Sequence, residues 1–380
     1  MRIDRQALFI GCYGLFAASQ KTGKIVNFNS RSILINLSLL FVSTLFGVFL
    51  SEIALRLMGI DPLYVSPERD RFWKYDSILG WSHEPGQEGN FETPQFRTIV
   101  RINENGLRDR QHSYERQHDS ERILVLGDSF AWGYGVEESE RFSQLLEKSL
   151  GVEVINASVS GYSTDQELLW YRNEGIKYET NLVILVIAGN DVGDNDQQLV
   201  STIYYKPKFV IEDGELVLTG YPVPKTSTQG KFIYSLSQRS ALAFFLVQRY
   251  FDLLSLYGQT KVNSDQANSP RSDINAEREP FKLTIALVDE IRNIAESRKS
   301  KFMIVTTDRW WNYRSEETYE DFITTLQGEG FLVLDVESMP GFDPEEMLIP
   351  DDGHWNPSGH EFVSVKIKAL IETHQLLGQP

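Results

Sequence analysis

Residues Leu182 to Ala188 read Leu-Val-Ile-Leu-Val-Ile-Ala, an apolar run with no polar interruption, ended by Gly189-Asn190. Such a run is a strand buried on both faces, and it demands helices above and below it. The chain supplies both. Ile123–Leu126, Val152–Ala157, Phe302–Thr306 and Phe331–Val336 read as further strands. Ser139–Leu150, Thr164–Tyr178, Phe281–Arg298, Ser315–Gln327 and Ser358–His374 read as amphipathic helices, the second capped by Ser163 or Thr164. This alternation predicts a parallel sheet covered on both faces, with ligands beyond the carboxyl ends of its strands.

Charge narrows the function. The net charge of −16 argues against nucleic-acid binding, which calls for a basic face. Cys12 is the sole cysteine, so neither an internal disulfide nor a cysteine metal site is available. The N-terminal segment runs against the overall sign: Arg2, Arg5, Lys21, Lys24 and Arg31 face only Asp4. Ser32 to Ser51 then contains no charged residue. At about 1.5 Å per residue that stretch matches a bilayer core of roughly 30 Å. With its basic flank it predicts a membrane span, the N-terminus cytoplasmic and the residues from about 60 onward outside. A shorter apolar stretch, Ala7 to Ser19, reads as a cytoplasmic or interfacial segment.

Two regions depart from the strand–helix rhythm. Gly80-Trp81, Pro85-Gly86 and Asn105-Gly106 are turn signals, and Thr98–Asn103 alternates like a half-buried strand. Together they predict a small strand-rich module. Between Val192 and Pro280, Phe209–Leu218 predicts a hairpin turning at Asp213-Gly214. Ser240–Tyr257 reads as an apolar helix that packs or touches acyl chains, and Gly258–Glu279 as a polar mobile loop.

The chemistry gathers where strands end. Gly127-Asp128-Ser129 follows the first strand, Asn156-Ala157-Ser158-Val159-Ser160-Gly161 the second and Gly189-Asn190-Asp191 the third; Asp351-Asp352-Gly353-His354 follows the last. A serine nucleophile needs a base, a carboxylate to fix that base's tautomer, and donors for the developing oxyanion. All these residue types fall on the predicted active edge.

These four segments, in this order over about residues 120–375, resemble the sequence blocks of the SGNH (GDSL-type) hydrolase superfamily. The resemblance implies a flavodoxin-like three-layer α/β/α fold with a central parallel sheet. It makes Ser129 the nucleophile, His354 the general base and acid, and Asp351 the residue that holds the imidazole. Ser129 N–H, Gly161 N–H and the Asn190 amide would form the oxyanion hole. Family spacing favours Asp351, three residues before the histidine; Asp352 is the alternative acid or a turn cap, and only one of two adjacent side chains should contact His354. Glycine lets backbone approach substrate without a Cβ, and an asparagine amide donates without titrating. Asp128 reads as a brace for the turn and His360 as a packing or capping residue. Trp355 and Tyr162 line the pocket or pack, and Trp310-Trp311 stack on sugar or pack. His83, His112, His118 and His374 lack ligand spacing, and no metal or cofactor is called for.

The expected organisation is a cytoplasmic segment 1–31, a membrane helix and flank 32–58, a strand-rich extension 59–120 and a hydrolase-like domain 121–375 with an insertion at about 192–280. The expected function is a membrane-tethered, extracytoplasmic serine esterase acting on acyl groups of a small molecule or surface glycan. An acyltransferase onto polysaccharide or peptidoglycan, and a non-catalytic glycan-binding module, are the alternatives.

Overall fold

The computed structural model describes residues 30–64, 69–116, 120–200, 204–250, 253, 281–309 and 318–378. The segment Ala7–Ser19, Cys12, His118, the loop from Gly258 to Glu279 and Trp310-Trp311 lie outside them. Two units divide the chain, Met1–Ala54 and Leu55–Pro380.

The first unit holds most of helix α1 (Ser30–Leu57). Leu34, Leu37, Leu40, Phe41 and Phe49 are all exposed, and so are the apolar residues between them. A helix packed on a protein core hides one face, and this one hides none. Arg31–Leu57, 27 residues, is long and apolar enough to be a candidate membrane span.

The second unit opens with the one-turn helix α2 (Arg69–Phe72) and two antiparallel hairpins, β1 (Trp73–Asp76) with β2 (Gly80–His83) and β3 (Glu88–Glu92) with β4 (Arg97–Arg101). The predicted alternation is seen in β4, where Thr98 and Val100 are buried between exposed neighbours. Phe72, Phe91, Val100 and Ile102 form a small core closed by Trp132.

A parallel sheet follows, built from β5 (Arg122–Leu126), β6 (Glu153–Asn156) and β7 (Leu182–Ile187). Between them lie α3 (Ser129–Trp132), α4 (Phe142–Leu150) and α5 (Thr164–Asn173). Helix α5 stops short of the predicted Tyr178, and a 3₁₀ turn, Gly175–Lys177, takes over. Gly175 is pressed against the Tyr171 ring, where a Cβ would come within 2.4 Å. After α6 (Asp191–Asn195) the insertion adds β8 (Leu199–Val200), β9 (Tyr204–Tyr205), and the hairpin β10 (Lys208–Glu212)–β11 (Glu215–Thr219). That hairpin turns at Asp213-Gly214, both with positive φ, 51° and 84°, as the sequence predicts. Helix α7 (Thr228–Ser237) and helix α8 (residues 241–250) follow. The chain then returns to the sheet through α9 (Lys282–Ser297), β12 (Lys301–Thr306), α10 (Tyr319–Gly328), β13 (Val333–Asp335), α11 (Pro344–Met347) and α12 (Pro357–Thr373).

The five strands lie in the order β13-β12-β7-β5-β6 and all pairs are parallel. Successive strand residues feed opposite cores, as the period of two requires. Leu124, Val183, Leu185 and Ile304 pack with Leu168, Leu287, Ile291 and Phe322 of α5, α9 and α10. Ile123, Leu182, Ile184 and Val305 pack with Phe142, Leu146, Val363 and Ile367 of α4 and α12. The result is a flavodoxin-like three-layer α/β/α fold. The chain runs from β5 outward to β6 and then crosses back to β7 on the other side of β5, so the crevice at the carboxyl ends of β5 and β7 is the topological switch point.

Candidate active site

Ser129 is the first residue of α3, immediately beyond β5. Asp128 caps that turn: its Oδ1 accepts the Phe130 N–H at 3.0 Å, and its Oδ2 lies 3.2 Å from Ser129 Oγ. Gly127 makes the turn possible, because a Cβ there would meet the Ala131 Cβ at 2.7 Å. Burial pushes the Asp128 carboxyl up to about 6, against the pull of the Phe130 N–H and of His354.

The other half of the site comes from the loop between α11 and α12. Ile349 N–H donates to His354 C=O at 2.8 Å and Asn356 N–H to Met347 C=O at 3.0 Å, so the loop is a closed, bridged turn. Asn356 caps α12 through the Gly359 N–H at 3.1 Å and donates its amide to Glu346 C=O at 2.8 Å. His354 Nε2 lies 2.8 Å from Ser129 Oγ, and its Nδ1 2.5 Å from Asp352 Oδ1. A carboxylate only accepts, so Nδ1 carries the proton and Nε2 is left to accept from Ser129. Tyr134 stacks on the imidazole with ring centroids 4.3 Å apart, and Phe130 sits at 4.9 Å.

The carboxylate that meets His354 belongs to Asp352, the alternative of the two, whereas family spacing favours Asp351. The N–H groups of Asp352 and Gly353 both bond Ile349 C=O, and this curl brings Asp352 against the imidazole. Asp351 sits at the tip of the same turn with φ of 59°, exposed to solvent. Burial pushes the Asp352 carboxyl up, but the His354 ring and N–H outweigh it and hold it below the usual carboxylate range.

Ser129, Gly161, Asn190 and His354 line one pocket of about 480 Å³. Gly161 adopts φ of 82°, a left-handed conformation that suits glycine, and its N–H has no hydrogen-bond partner among the described residues. Asn190 donates one amide hydrogen to Asp194 Oδ2 at 2.8 Å, which fixes which end of the amide is nitrogen and leaves the second hydrogen available. Burial pushes the Asp194 carboxyl up, partly offset by that bond.

Other expected residues take packing roles. Tyr162 is buried and its hydroxyl donates to Trp81 C=O at 2.6 Å. Trp355 is fully buried against Phe130 and Phe142. His360 stacks on Phe142 and accepts the Phe142 N–H at 3.3 Å. Burial and the nearby Arg141 and Arg108 push its imidazole down to about 3. His83 is a brace: Nδ1–H donates to Gly106 C=O at 2.8 Å and Nε2 accepts the Trp132 indole N–H at 3.0 Å.

Sequence reasoning missed the walls. Arg69, Trp73, Trp81 and Phe91 reach the pocket from the extension, and Tyr204, Tyr234 and Phe244 from the insertion. Trp81 lies 3.5 Å from where a Gly161 Cβ would stand, and its indole N–H donates to Ser160 C=O at 3.3 Å. The signal available was the density of aromatic residues in both segments.

This α/β/α fold, with a serine, histidine and carboxylate in hydrogen-bonded series at its switch point, defines a serine hydrolase. Residues 125–208 match the model of the GDSL-like Lipase/Acylhydrolase family, a stretch that holds the serine, glycine and asparagine blocks. Over that stretch the chain is similar to GDSL-type hydrolases, and the site is that of a serine ester hydrolase. Comparison with curated proteins gave no match. Solved structures similar to it include TesA, at 14% identity over 68% of this chain and 100% of that one, TM-score 0.37. A member of the lipolytic protein G-D-S-L family from Veillonella parvula has 11% identity over 67% and 99%, TM-score 0.35. The psychrotrophic esterase EstA from Pseudoalteromonas sp. has 13% identity over 67% and 99%, TM-score 0.36. At these TM-scores the three similarities bear no weight, and the assignment rests on the family match and the site.

Proposed function

We propose that this protein is a membrane-tethered serine esterase that removes acetyl or other acyl groups from cell-surface carbohydrate through an acyl-enzyme. The observation that carries this reading is the series Ser129–His354–Asp352, with contacts of 2.8 and 2.5 Å. Ser129 Oγ attacks the ester carbonyl carbon while its proton passes to His354 Nε2. The resulting imidazolium is stabilised by Asp352. The tetrahedral oxyanion takes hydrogen bonds from Ser129 N–H, Gly161 N–H and the Asn190 amide. Collapse breaks the alkoxy C–O bond, and His354 returns the proton to the leaving alcohol. Water, deprotonated by His354, then attacks the acyl carbon; the bond to Ser129 Oγ breaks, His354 returns the proton to Oγ, and the acid leaves.

Two features support the location and the sugar. The basic residues before α1 favour an N-terminus in the cytoplasm and a catalytic unit outside it. The pocket's aromatic walls suit the apolar faces of a sugar ring. A second reading keeps the acyl-enzyme and replaces water with a sugar hydroxyl. A cavity of about 480 Å³ has room for an acceptor beside a short acyl group, which favours that variant.

The test is a panel of acetylated sugars and short activated esters given to the purified chain, with Ser129→Ala and His354→Ala alongside. Release of free acid by wild type alone supports the esterase. Appearance of the acyl group on an added glycan, read by mass spectrometry, supports transfer. Equal turnover in wild type and both variants would sink the mechanism.

A further inference from the structure

Arg69 differs from several other buried and half-buried arginines of this chain. Arg172 pairs with Glu290 at 2.7 Å and Arg309 with Glu337 at 2.8 Å, and the buried Arg122 pairs with Glu153 at 2.7 Å. Arg69 forms no ion pair among the described residues, and among the residues lining the catalytic pocket it is the only arginine or lysine. Its guanidinium lies 4.2 Å from the Tyr204 ring centroid and 5.8 Å from that of Trp73. Nη1 donates to the Tyr234 hydroxyl at 3.2 Å, and that hydroxyl lies 3.3 Å from the one on Tyr204. The plane of the fork is therefore held by two rings and one hydroxyl. Nε and Nη2 carry no hydrogen bond among the described residues, which leaves one edge of the guanidinium for a bidentate acceptor.

The pocket's own carboxyls do not serve as that acceptor. Asp128 is engaged by Phe130 N–H and Ser129, and Asp194 by the Asn190 amide. A permanently charged group withdrawn from water and left without a counter-charge is costly, and an anionic ligand offsets that cost. Cation–π contacts hold the guanidinium but do not neutralise it.

We infer that Arg69, with the Tyr204 and Tyr234 hydroxyls, is a subsite for an anionic group, a carboxylate or a phosphate, on the ester that Ser129 cleaves. This rests on Ser129 being the nucleophile. It adds that the preferred substrate is an acylated molecule with a negative charge elsewhere in its frame. The net charge of −16 makes the point sharper: a chain that repels anions overall keeps at its reaction pocket a cation with no ion pair among the described residues.

The test compares matched esters on the intact protein: phenyl acetate as the neutral member, 4-acetoxybenzoate and 4-acetoxyphenyl phosphate as the anionic ones. The readout is the ratio of kcat/KM for an anionic ester over the neutral one, which is independent of how much of a preparation is folded. Arg69→Gln should lower that ratio about tenfold or more for at least one anion, with Arg69→Lys intermediate. Raising the salt from about 0.05 to 0.5 M should erode the wild-type ratio. A ratio within about twofold of wild type in Arg69→Gln, in an enzyme that still turns over phenyl acetate, overturns the subsite and leaves the nucleophile standing. No turnover of any ester by wild type, together with no labelling of Ser129 by a fluorophosphonate, removes the nucleophile and the subsite with it.

Discussion

Asp351 and Asp352 are chemically identical neighbours, and only backbone geometry separates them. That Ser129, Gly161, Asn190 and His354 share one pocket was legible, because each follows a strand end or lies on the loop before α12. Which aspartate meets His354 was not, because it depends on the curl of a three-residue turn at which Asp351 takes φ of 59°. Replacing Asp352 by Asn should therefore lower kcat by roughly 10³- to 10⁴-fold, as expected when an imidazole loses the partner that fixes its tautomer. Asp351→Asn should leave kcat within about threefold, being a surface change. Steady-state rates on a single ester decide between them. Asp128 offers a second test at this scale. Burial raises it to about 6, so between the unfolded value near 3.9 and 6 the folded chain holds a proton that the unfolded chain has lost. Stability therefore falls as pH rises through that window. Asp128→Asn, which keeps an oxygen for the Phe130 N–H, should raise the thermal midpoint more at pH 7.5 than at pH 4. An equal shift at both values would contradict the assignment.

Among the elements, those marked by an apolar run, a period or a turn signal were readable and the one-turn helices were not. Strand β7 and helices α9 and α12 declare themselves by apolar period, and the β10–β11 hairpin by its Asp-Gly turn. Helices α3 and α11 are four residues each, less than the span over which a helical period repeats. The extension's contact with the catalytic unit was hidden for a different reason: it depends on pairs distant in sequence. Gly80 shows the point. It has φ of 87°, and a Cβ there would stand 2.3 Å from Tyr205 C=O in the insertion. Gly80→Ala should destabilise the protein by about 2 kcal/mol or more, through strain and a backbone collision, visible as a lowered urea midpoint. Trp81→Ala should act instead on catalysis, because Trp81 supports the Ser160-Gly161 turn. A fall in kcat with little change in KM is the expected signature of a loosened oxyanion donor.

For the molecule as a whole, acid should be damaging. His83 is buried and neutral, with burial, opposed by the Gly106 hydrogen bond and aided by Arg108, bringing it down to about 4. Below about pH 6.5 the unfolded chain takes up a proton that folded His83 refuses, so stability falls as pH drops toward 4, by on the order of 3 kcal/mol in all. His360, at about 3, adds in the same direction. The urea midpoint should decline from pH 7 to pH 5, and the decline should flatten in His83→Gln. At the other end of the chain, α1 should hold the protein to membranes. Full-length protein should sediment with vesicles and be released by detergent, whereas a chain beginning at Met58 should stay in the supernatant.

The division of the pocket among three stretches of sequence has an evolutionary reading. The groups that make and break bonds sit at strand ends and on the loop before α12, where the sheet dictates their place. The surfaces that choose among molecules arrive on an N-terminal module and an internal loop-and-helix excursion, neither of which contributes a strand to that sheet. Descent can thus exchange the two outer pieces and redirect such an enzyme to a new ester, while the reaction centre is inherited intact.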